Sequence, residues 1–555
     1  MQKYVNKIFE VLKRYPLIRF IGTKLLRNFM FIRANRDIYY LFPFTKNGIS
    51  GYKSPFYRGK RGEFYTKFYS SNQKNIFFLT IFYNLLKEHI FAYEIFEARK
   101  ISHIYKKKFK STDTKILAIS HFNKNKLDFR IKKNDGVNKI SIIPERLSYL
   151  KLDCNEVEIS SKDNFLISEN FNKNKVDNPK LVVTVFIDGL NYIGDLNIFK
   201  QIAPNTYNFF LNKGHMFTNH YSNSEWTVPS FGNVLTGKYT HNHGIFHPDA
   251  IYDVGKVNKL MPEYFQEQNY LTFMCNSIWR NAPSYGFVKG FDRTIYKKDA
   301  NSKFVINESI EHINAFKKMN QFCFLNFNDL HHDLDISLPV ISQVNNKFEN
   351  VFDNIGAKAS KKKSVERSYD VSRIEKLKIK TLELDIKLKQ LFNFIENDFS
   401  NNYLVNLFVD HGHAFLSKDP HILSEKRTLV PWLIKSSNIN DYSKFKYLTT
   451  SNVDILPTIL DICNISTQKK QFDGVSIFNK LQKREKFLIE SIYPNKKAFF
   501  KYYNEEKFFN VNSDIDVDYY GYMKINSLEN QNVFDLNKII NNWNKNFKLS
   551  ETDFR

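Results

Sequence analysis

Three short stretches carry the residue types best suited to chemistry: Ile187-Asp188-Gly189, Ser222 to Ser230 with Thr227 at its centre, and Val409-Asp410-His411-Gly412. A threonine hydroxyl is a weak nucleophile at neutral pH and becomes a competent one when a divalent cation stabilises its ionised form. Asp188 and Asp410 offer hard carboxylate oxygens, His411 an imidazole nitrogen and Thr227 its hydroxyl, a ligand set for one ion. Such mixed ligation favours zinc or manganese over calcium, which prefers all-oxygen shells, with magnesium or calcium as the alternatives. Pro229 predicts an extended Val228, and Ser230 is placed as the N-cap of a helix running towards Leu235. The free N–H groups at that helix start would face an anionic tetrahedral group beside Thr227. Taken singly, each stretch has a plainer reading, because an Asp after an apolar run and a Thr-x-Pro-Ser are also turn and capping patterns.

The elements needed to position these residues are legible around them. Leu181–Ile187 and Tyr403–Val409 are continuous β-branched and aromatic runs of the kind buried on both faces of a parallel sheet, and each stops at an acidic residue. Two such strands deliver Asp188 and Asp410 to one sheet edge, where ligands of α/β sheets bind. Between them a helix is predicted from about Val371 to Asn397, with Ile374, Leu377, Leu382, Ile386 and Leu391 on its apolar line. Residues 356–367, which include Lys361, Lys362 and Lys363, read as a basic surface loop inserted in this region.

The fold class expected is α/β, a central mostly parallel sheet flanked by helices over 181–480. It is preceded by a mixed α+β accessory region over 1–175 and followed by an extension over 481–555. At 555 residues the chain is long enough for two or three cores. In the accessory region Lys115–Ser120 and Lys139–Ile143 read as strands, Ile76–Leu86 as a buried helix, and 169–180 as a linker. The apolar run Ile76–Leu86 is about half the roughly twenty residues a spanning helix needs, and no secretory leader is evident, so a cytoplasmic protein is expected. Met1–Arg33 is basic and amphipathic, which suits docking on the protein itself or peripheral contact with the inner face of a membrane. The net charge of +25 points to anionic partners, yet no zinc-finger or RNA-binding signature accompanies it, and specific nucleic-acid binding is not expected. Cys154, Cys275, Cys323 and Cys463 lack metal-ligand spacing and read as reduced, buried thiols.

The order of further blocks adds a resemblance. Ala203-Pro204-Asn205-Thr206, Gly214 to Asn219, Tyr221-Ser222-Asn223, Thr227 to Ser230, Leu235-Thr236-Gly237 and His243-Gly244 resemble the N-terminal signature of the alkaline phosphatase/sulfatase superfamily. Asp410-His411-Gly412, Leu429 to Ile434, Val453 to Thr458 and Phe472 to Ser476 are similar to its later signatures. The likeness covers about residues 180 to 480.

That resemblance implies a metal-dependent enzyme, and the departures from it are informative. Sulfatases carry a Cys or Ser that becomes formylglycine, followed by x-Pro-Ser-Arg; here Thr227 holds the first position and Phe231 the last. A Thr at the metal resembles the phosphoethanolamine and phosphoglycerol transferase and phosphodiesterase branches. The implied activity is phospho-group transfer or phosphodiester cleavage through a phosphothreonine. The alternatives are a sulfatase-like hydrolase of sulfate or phosphate esters and a non-catalytic protein that binds phosphorylated glycans. By the same likeness His331 and His421 become substrate ligands or acid/base groups, and Asn328, Asp329 and His332 candidates for a second metal or for substrate. The expected partners are a soluble phosphoester or nucleotide-linked donor and a carbohydrate acceptor of a surface polysaccharide.

Overall fold

The computed structural model describes residues 64–69, 92–98, 101–110, 115–191, 196–246, 258–331, 367–528 and 535–552, with short gaps inside these ranges. Met1–Arg33, Ile76–Leu86, Cys154, His332 and residues 356–366 lie outside the described residues. The chain divides into two compact units, Met1–Asn174 with Gly286–Lys298, and Lys175–Tyr285 with Asp299–Arg555.

In the first unit, β1 (Ile101–Lys110), β2 (Lys115–Ser120), β3 (Leu127–Lys133), β4 (Gly136–Ile142), β5 (Ser148–Leu152) and β6 (Glu156–Ser168) form an antiparallel sheet. Strand β3 alternates buried and exposed residues, the pattern of a sheet with one dry face. Its Leu127, Phe129 and Ile131 join Phe109, Val157, Ile159, Phe165 and Ile167 in a separate core. Gly286–Lys298 belongs to this unit because Arg293–Lys297 pairs antiparallel with Ala92–Ala98. Nothing in the local composition of that segment announces its departure from the 181–480 region.

The second unit is built on β7 (Leu181–Ile187), β8 (Leu271–Asn276), β9 (Gln321–Phe327), β10 (Tyr403–Val409) and β11 (Trp432–Ser436), in the spatial order β8-β9-β7-β10-β11. The first four run parallel, β11 runs antiparallel, and the short strand His215–Phe217 completes that edge. Every residue of these five strands is buried, as befits a sheet covered on both faces. The expected α/β class with a mostly parallel central sheet is the observed one. Phe186 stacks on Phe408 across the β7–β10 pair at 5.0 Å between ring centres. Phe231 packs on Phe186 at 5.6 Å and on Phe324 at 5.5 Å.

Helices α1 (Pro204–Leu211), α2 (Thr227–Thr236), α3 (Ser302–Ala315) and α4 (Val371–Phe399) accompany the sheet, and α4 packs on both α1 and α3. Asp385 of α4 accepts the backbone N–H of Asn205 at 2.9 Å and of Thr206 at 2.7 Å, so a carboxylate meets the positive end of α1. The apolar line predicted for α4 is only partly correct. Leu377 and Leu391 are buried, whereas Leu382 and Ile386 are 39% and 57% exposed. The line that faces inward is Leu377, Leu384, Leu388, Leu391 and Ile395. The predicted line advanced by five residues at two steps, and each such step swings round the helix by about 140°, off any single stripe.

The C-terminal residues are part of this unit rather than an appendage to it. Strand β12 (Lys486–Ser491) pairs with Phe499–Asn504, and Phe487, Leu488 and Trp543 share a core with Leu423 and Val453. Cys275 and Cys323 are buried free thiols and Cys463 is a half-buried one.

Candidate active site

The sheet register gathers the chemistry. Ile187 pairs with Phe327 on one side and Val409 on the other, so the next residues, Asp188, Asn328 and Asp410, leave their strands at one level. The turn after Asp188 needs Gly189, whose φ of +82° lies in the left-handed region, and a Cβ there would sit 2.5 Å from His413 Nε2. Gly189→Ala is therefore expected to cost about 1–3 kcal/mol of stability, read as a lowered denaturant midpoint at unchanged slope.

Thr227 opens α2 and is fully buried, with its Oγ1 3.4 Å from Asp188 Oδ2 and 3.4 Å from His411 Nε2. Asp410 Oδ1 accepts the backbone N–H of Gly189 at 3.2 Å and of His411 at 2.9 Å, which fixes that carboxylate. His411 Nδ1 lies 2.8 Å from the Gly412 carbonyl, so Nδ1 carries the proton and Nε2 turns towards the acids. Nε2 is 3.1 Å from Asp410 Oδ2 and 3.8 Å from Asp188 Oδ1.

Those two oxygens, Asp188 Oδ1 and Asp410 Oδ2, are buried with no hydrogen-bond donor among the described residues. Two buried carboxylates converging on one ring nitrogen crowd negative charge into a dry site, which is costly. Burial, and then the Asp410 charge, raises Asp188 above the usual carboxylate range. Burial pulls His411 down, but Asp410 and then Asp188 outweigh it and hold the ring above its ordinary value. The donor chemistry fits a divalent cation. Ligand atoms of Asp188, His411 and His331 lie within 4.8 Å of one another, so a second imidazole stands with the expected group.

The remaining candidates divide. His331 is in the cluster, its ring 6.1 Å from that of His411. His421 is not; its Nδ1 accepts the Leu423 N–H at 3.1 Å and its ring lies edge-on to Phe499, so it serves a turn beside the C-terminal sheet. Asp329 Oδ1 caps α3 through Ser302 N at 3.1 Å and Ser302 Oγ at 2.7 Å, and Asn328 Nδ2 donates to Asp299 Oδ1 at 3.2 Å. Among the described residues Asn328, Asp329 and His421 are thus engaged separately and form no second cluster of ligands, and His332 lies outside the described residues. The local reading of the turn at Thr227 also needs correction. Trp226, not Ser230, is the N-cap; Val228 is helical; and Ser230 Oγ bonds Ser222 Oγ at 3.0 Å and the Ser224 carbonyl at 3.2 Å. Pro229 fits inside the first turn because its missing N–H would have no helical acceptor there.

Three residues escape sequence reasoning. His413 stacks on Phe415 at 4.7 Å beside Gly189, and burial, then the His411 charge, holds its ring down to about 3. Arg280, four residues past β8, and Arg367, before α4, place positive charge on Asp188 and His413 respectively. The signal available for His413 was its two-residue spacing from His411; the arginines had none.

The segment before Thr227 is held by the C-terminal strand. Asn223 Nδ2 donates to the Leu488 carbonyl at 2.8 Å, Ser224 Oγ to the Glu490 carbonyl at 3.0 Å, and Ser491 Oγ to Glu225 at 2.7 Å. His241 Nδ1 meets Glu490 at 2.7 Å, and although burial lowers the ring's pKa, the Glu490 charge raises it further, for a net rise. A raised folded-state pKa stabilises below the unfolded value of about 6.5 and is lost as pH climbs through the folded one. The wild type's melting advantage over Glu490→Gln is accordingly expected to be largest in mild acid and to shrink as pH rises, as measured by scanning calorimetry.

With this geometry in view, residues 180–465 match the model of the sulfatase family. The chain belongs to the sulfatase family. It is similar to the extracellular sulfatase SULF-1 homolog of Drosophila melanogaster, 23% identical over 395 residues that cover 58% of this chain and 34% of that protein. The chain thus spans about a third of the length of this curated relative. Among solved structures it is similar to a phosphonate monoester hydrolase from Silicibacter pomeroyi, with 13% identity, 60% of this chain and 89% of that one covered, and a TM-score of 0.45. A 2-O GAG sulfatase matches at 13% identity over 60% of this chain and 85% of its own, with a TM-score of 0.43.

Proposed function

We propose that this protein is a metal-dependent phospho-group transferase or phosphodiesterase that works through a phosphothreonine on Thr227. The observation that carries this is the Thr227 hydroxyl at the start of α2, 3.4 Å from both Asp188 Oδ2 and His411 Nε2. A threonine is not a formylglycine precursor by the sulfatase route. Phe231, which stands where sulfatases place an arginine, is fully buried against Phe186 and Phe324 and so offers no charge to a sulfate.

Asp188, Thr227, Asp410 and His411, with His331 beside them, would hold a divalent ion, zinc or manganese by its ligand chemistry. When bound it would lower the pKa of the Thr227 hydroxyl and offset the charge of the bound ester. Thr227 Oγ1 forms a bond to phosphorus while the bond to the leaving oxygen breaks, taking its electron pair. The hydroxyl proton passes to Asp188 Oδ2, its contact acceptor, and the leaving oxygen takes a proton from His331. An acceptor hydroxyl or water then attacks the phosphothreonine and gives its proton to His331, while the bond from phosphorus to Thr227 Oγ1 breaks and that oxygen takes back the proton held by Asp188. Arg280 and Arg367 add positive charge around the developing anion.

The donor would be a soluble phosphoester or nucleotide-linked compound and the acceptor a sugar of a surface polysaccharide; with water as acceptor the same chemistry is hydrolysis. A cytoplasmic location, with peripheral contact at the inner face of the membrane, goes with such a donor. Among the described residues no helix is long and apolar enough to cross a membrane. Turnover of phosphodiester, phosphomonoester and sulfate ester analogues, each with and without sugar acceptors, tests the proposal. Phosphodiester or nucleotide-linked substrates are expected to turn over fastest, and transfer product to grow with acceptor. Preference for the sulfate ester would sink it.

A further inference from the structure

The sheet of the N-terminal unit has a second face on which basic residues outnumber the acidic Asp128, Glu156 and Glu158. Across β1, β6, β3 and β4 the register sets Lys106 opposite Ser160, Ser160 opposite Arg130, and Arg130 opposite Lys139. The next row holds Lys108, Glu158, Lys132 and Val137. Lys106, Lys108, Arg130, Lys132 and Lys139 are all exposed. Glu158 answers Lys106 at 2.8 Å and Lys108 at 3.6 Å. Arg130, Lys132 and Lys139 have no ion-pair partner among the described residues. Neighbouring strands lie about 4.8 Å apart, so the cations from Lys106 to Lys139 span roughly 14 Å. That reach exceeds one small anion and suits a chain with repeated charges.

A bulge adds a ring to this face. Ile104 and Phe109 pack on the core, and the register shifts between Ile104 and Lys106, so Tyr105 and Lys106 fall together on the outer side. Tyr105 is 57% exposed.

We propose that this face is a docking surface for an anionic polysaccharide, a chain bearing sulfate or phosphate esters. Lys106, Arg130, Lys132 and Lys139 meet its charges and Tyr105 stacks on a sugar ring. Charge complementarity selects a polyanion, and the rest of the face selects among polyanions. Single-stranded nucleic acid is held by several aromatic platforms for successive bases, and here there is one ring. A membrane surface calls for an apolar face beside the cations, and Val137 is the one apolar side chain in the two rows. Binding here is independent of which ester the catalytic unit cleaves.

The test compares full-length wild type with the Arg130→Ala/Lys132→Ala/Lys139→Ala variant. A control, Lys389→Ala/Lys444→Ala/Lys446→Ala, removes the same charge from exposed sites of the other unit. Affinity is measured for dextran sulfate, neutral dextran, a single-stranded oligonucleotide and anionic phospholipid vesicles. The first variant is expected to bind dextran sulfate at least about tenfold more weakly, with a log–log salt slope reduced by about two to three, while the control changes little. Neutral dextran is expected not to bind. Tyr105→Ala should weaken dextran sulfate binding at unchanged salt slope, which keeps the test sharp if the triple variant melts early. Equal losses in both triple variants, or tighter binding of the oligonucleotide or the vesicles than of dextran sulfate, would overturn the proposal.

Discussion

Thr227→Ala is expected to lower kcat by at least about 10³-fold, the scale seen when a covalent nucleophile is removed, while leaving the fold intact. The loss follows from position. Thr227 Oγ1 is the hydroxyl that both Asp188 and His411 face, and it stands at the N-terminus of α2, where free N–H groups favour an anionic substrate. Stability should change little, since Ala keeps the helical start and deletes a few atoms. Thr227→Ser, which keeps the oxygen and loses the methyl, should retain most of the activity. Turnover in Thr227→Ala within tenfold of wild type would mean that water attacks directly and that Thr227 only orients it.

Asp188→Asn is expected to do two opposite things. Affinity for zinc or manganese should fall by at least about 100-fold, because the change removes a ligand rather than an outer-shell partner. Stability of the metal-free protein should rise. Asp188 is a carboxylate whose folded pKa is raised by burial and by Asp410, so the folded state holds a proton that the unfolded chain releases. Metal-free wild type therefore loses stability as pH climbs from about 4 through the raised value, and Asn abolishes that loss. The variant should melt above metal-free wild type at about pH 8 and converge with it towards about pH 4, as followed by calorimetry in a chelator. The same linkage makes wild-type metal affinity rise with pH, with proton release on binding. A metal-free Asp188→Asn protein less stable than wild type across that range would contradict the charge frustration assigned to the site.

How much of this was legible in the sequence depends on how local each signal was. Leu181–Ile187 and Tyr403–Val409 are apolar throughout and end at acids, so a period-free run was enough to place two parallel strands and both carboxylates. The block order singled out Thr227, and the start of α2 sets its hydroxyl 3.4 Å from both Asp188 and His411. The cap was not legible, because Ser230 and Trp226 compete for one helix start and backbone direction, rather than residue type, decided for Trp226. His331 and His421 looked alike in sequence, yet the chain after β9 folds His331 into the cluster, while the turn around Leu423 takes His421 away. Arg280, the strand Arg293–Lys297 and the clamp from Leu488 to Ser491 depend on pairings across long sequence separations, for which one sequence carries no local mark.

The most direct measurement is intact mass, with peptide mapping, after brief incubation of the metal-loaded protein with phosphodiester and nucleotide-linked substrates followed by acid quench. A covalent increment equal to the transferred phospho-group, mapped to Thr227 and missing from Thr227→Ala, is the expected result. Full turnover with no adduct on Thr227 at any quench time, or an adduct on another residue, would contradict the phosphothreonine route.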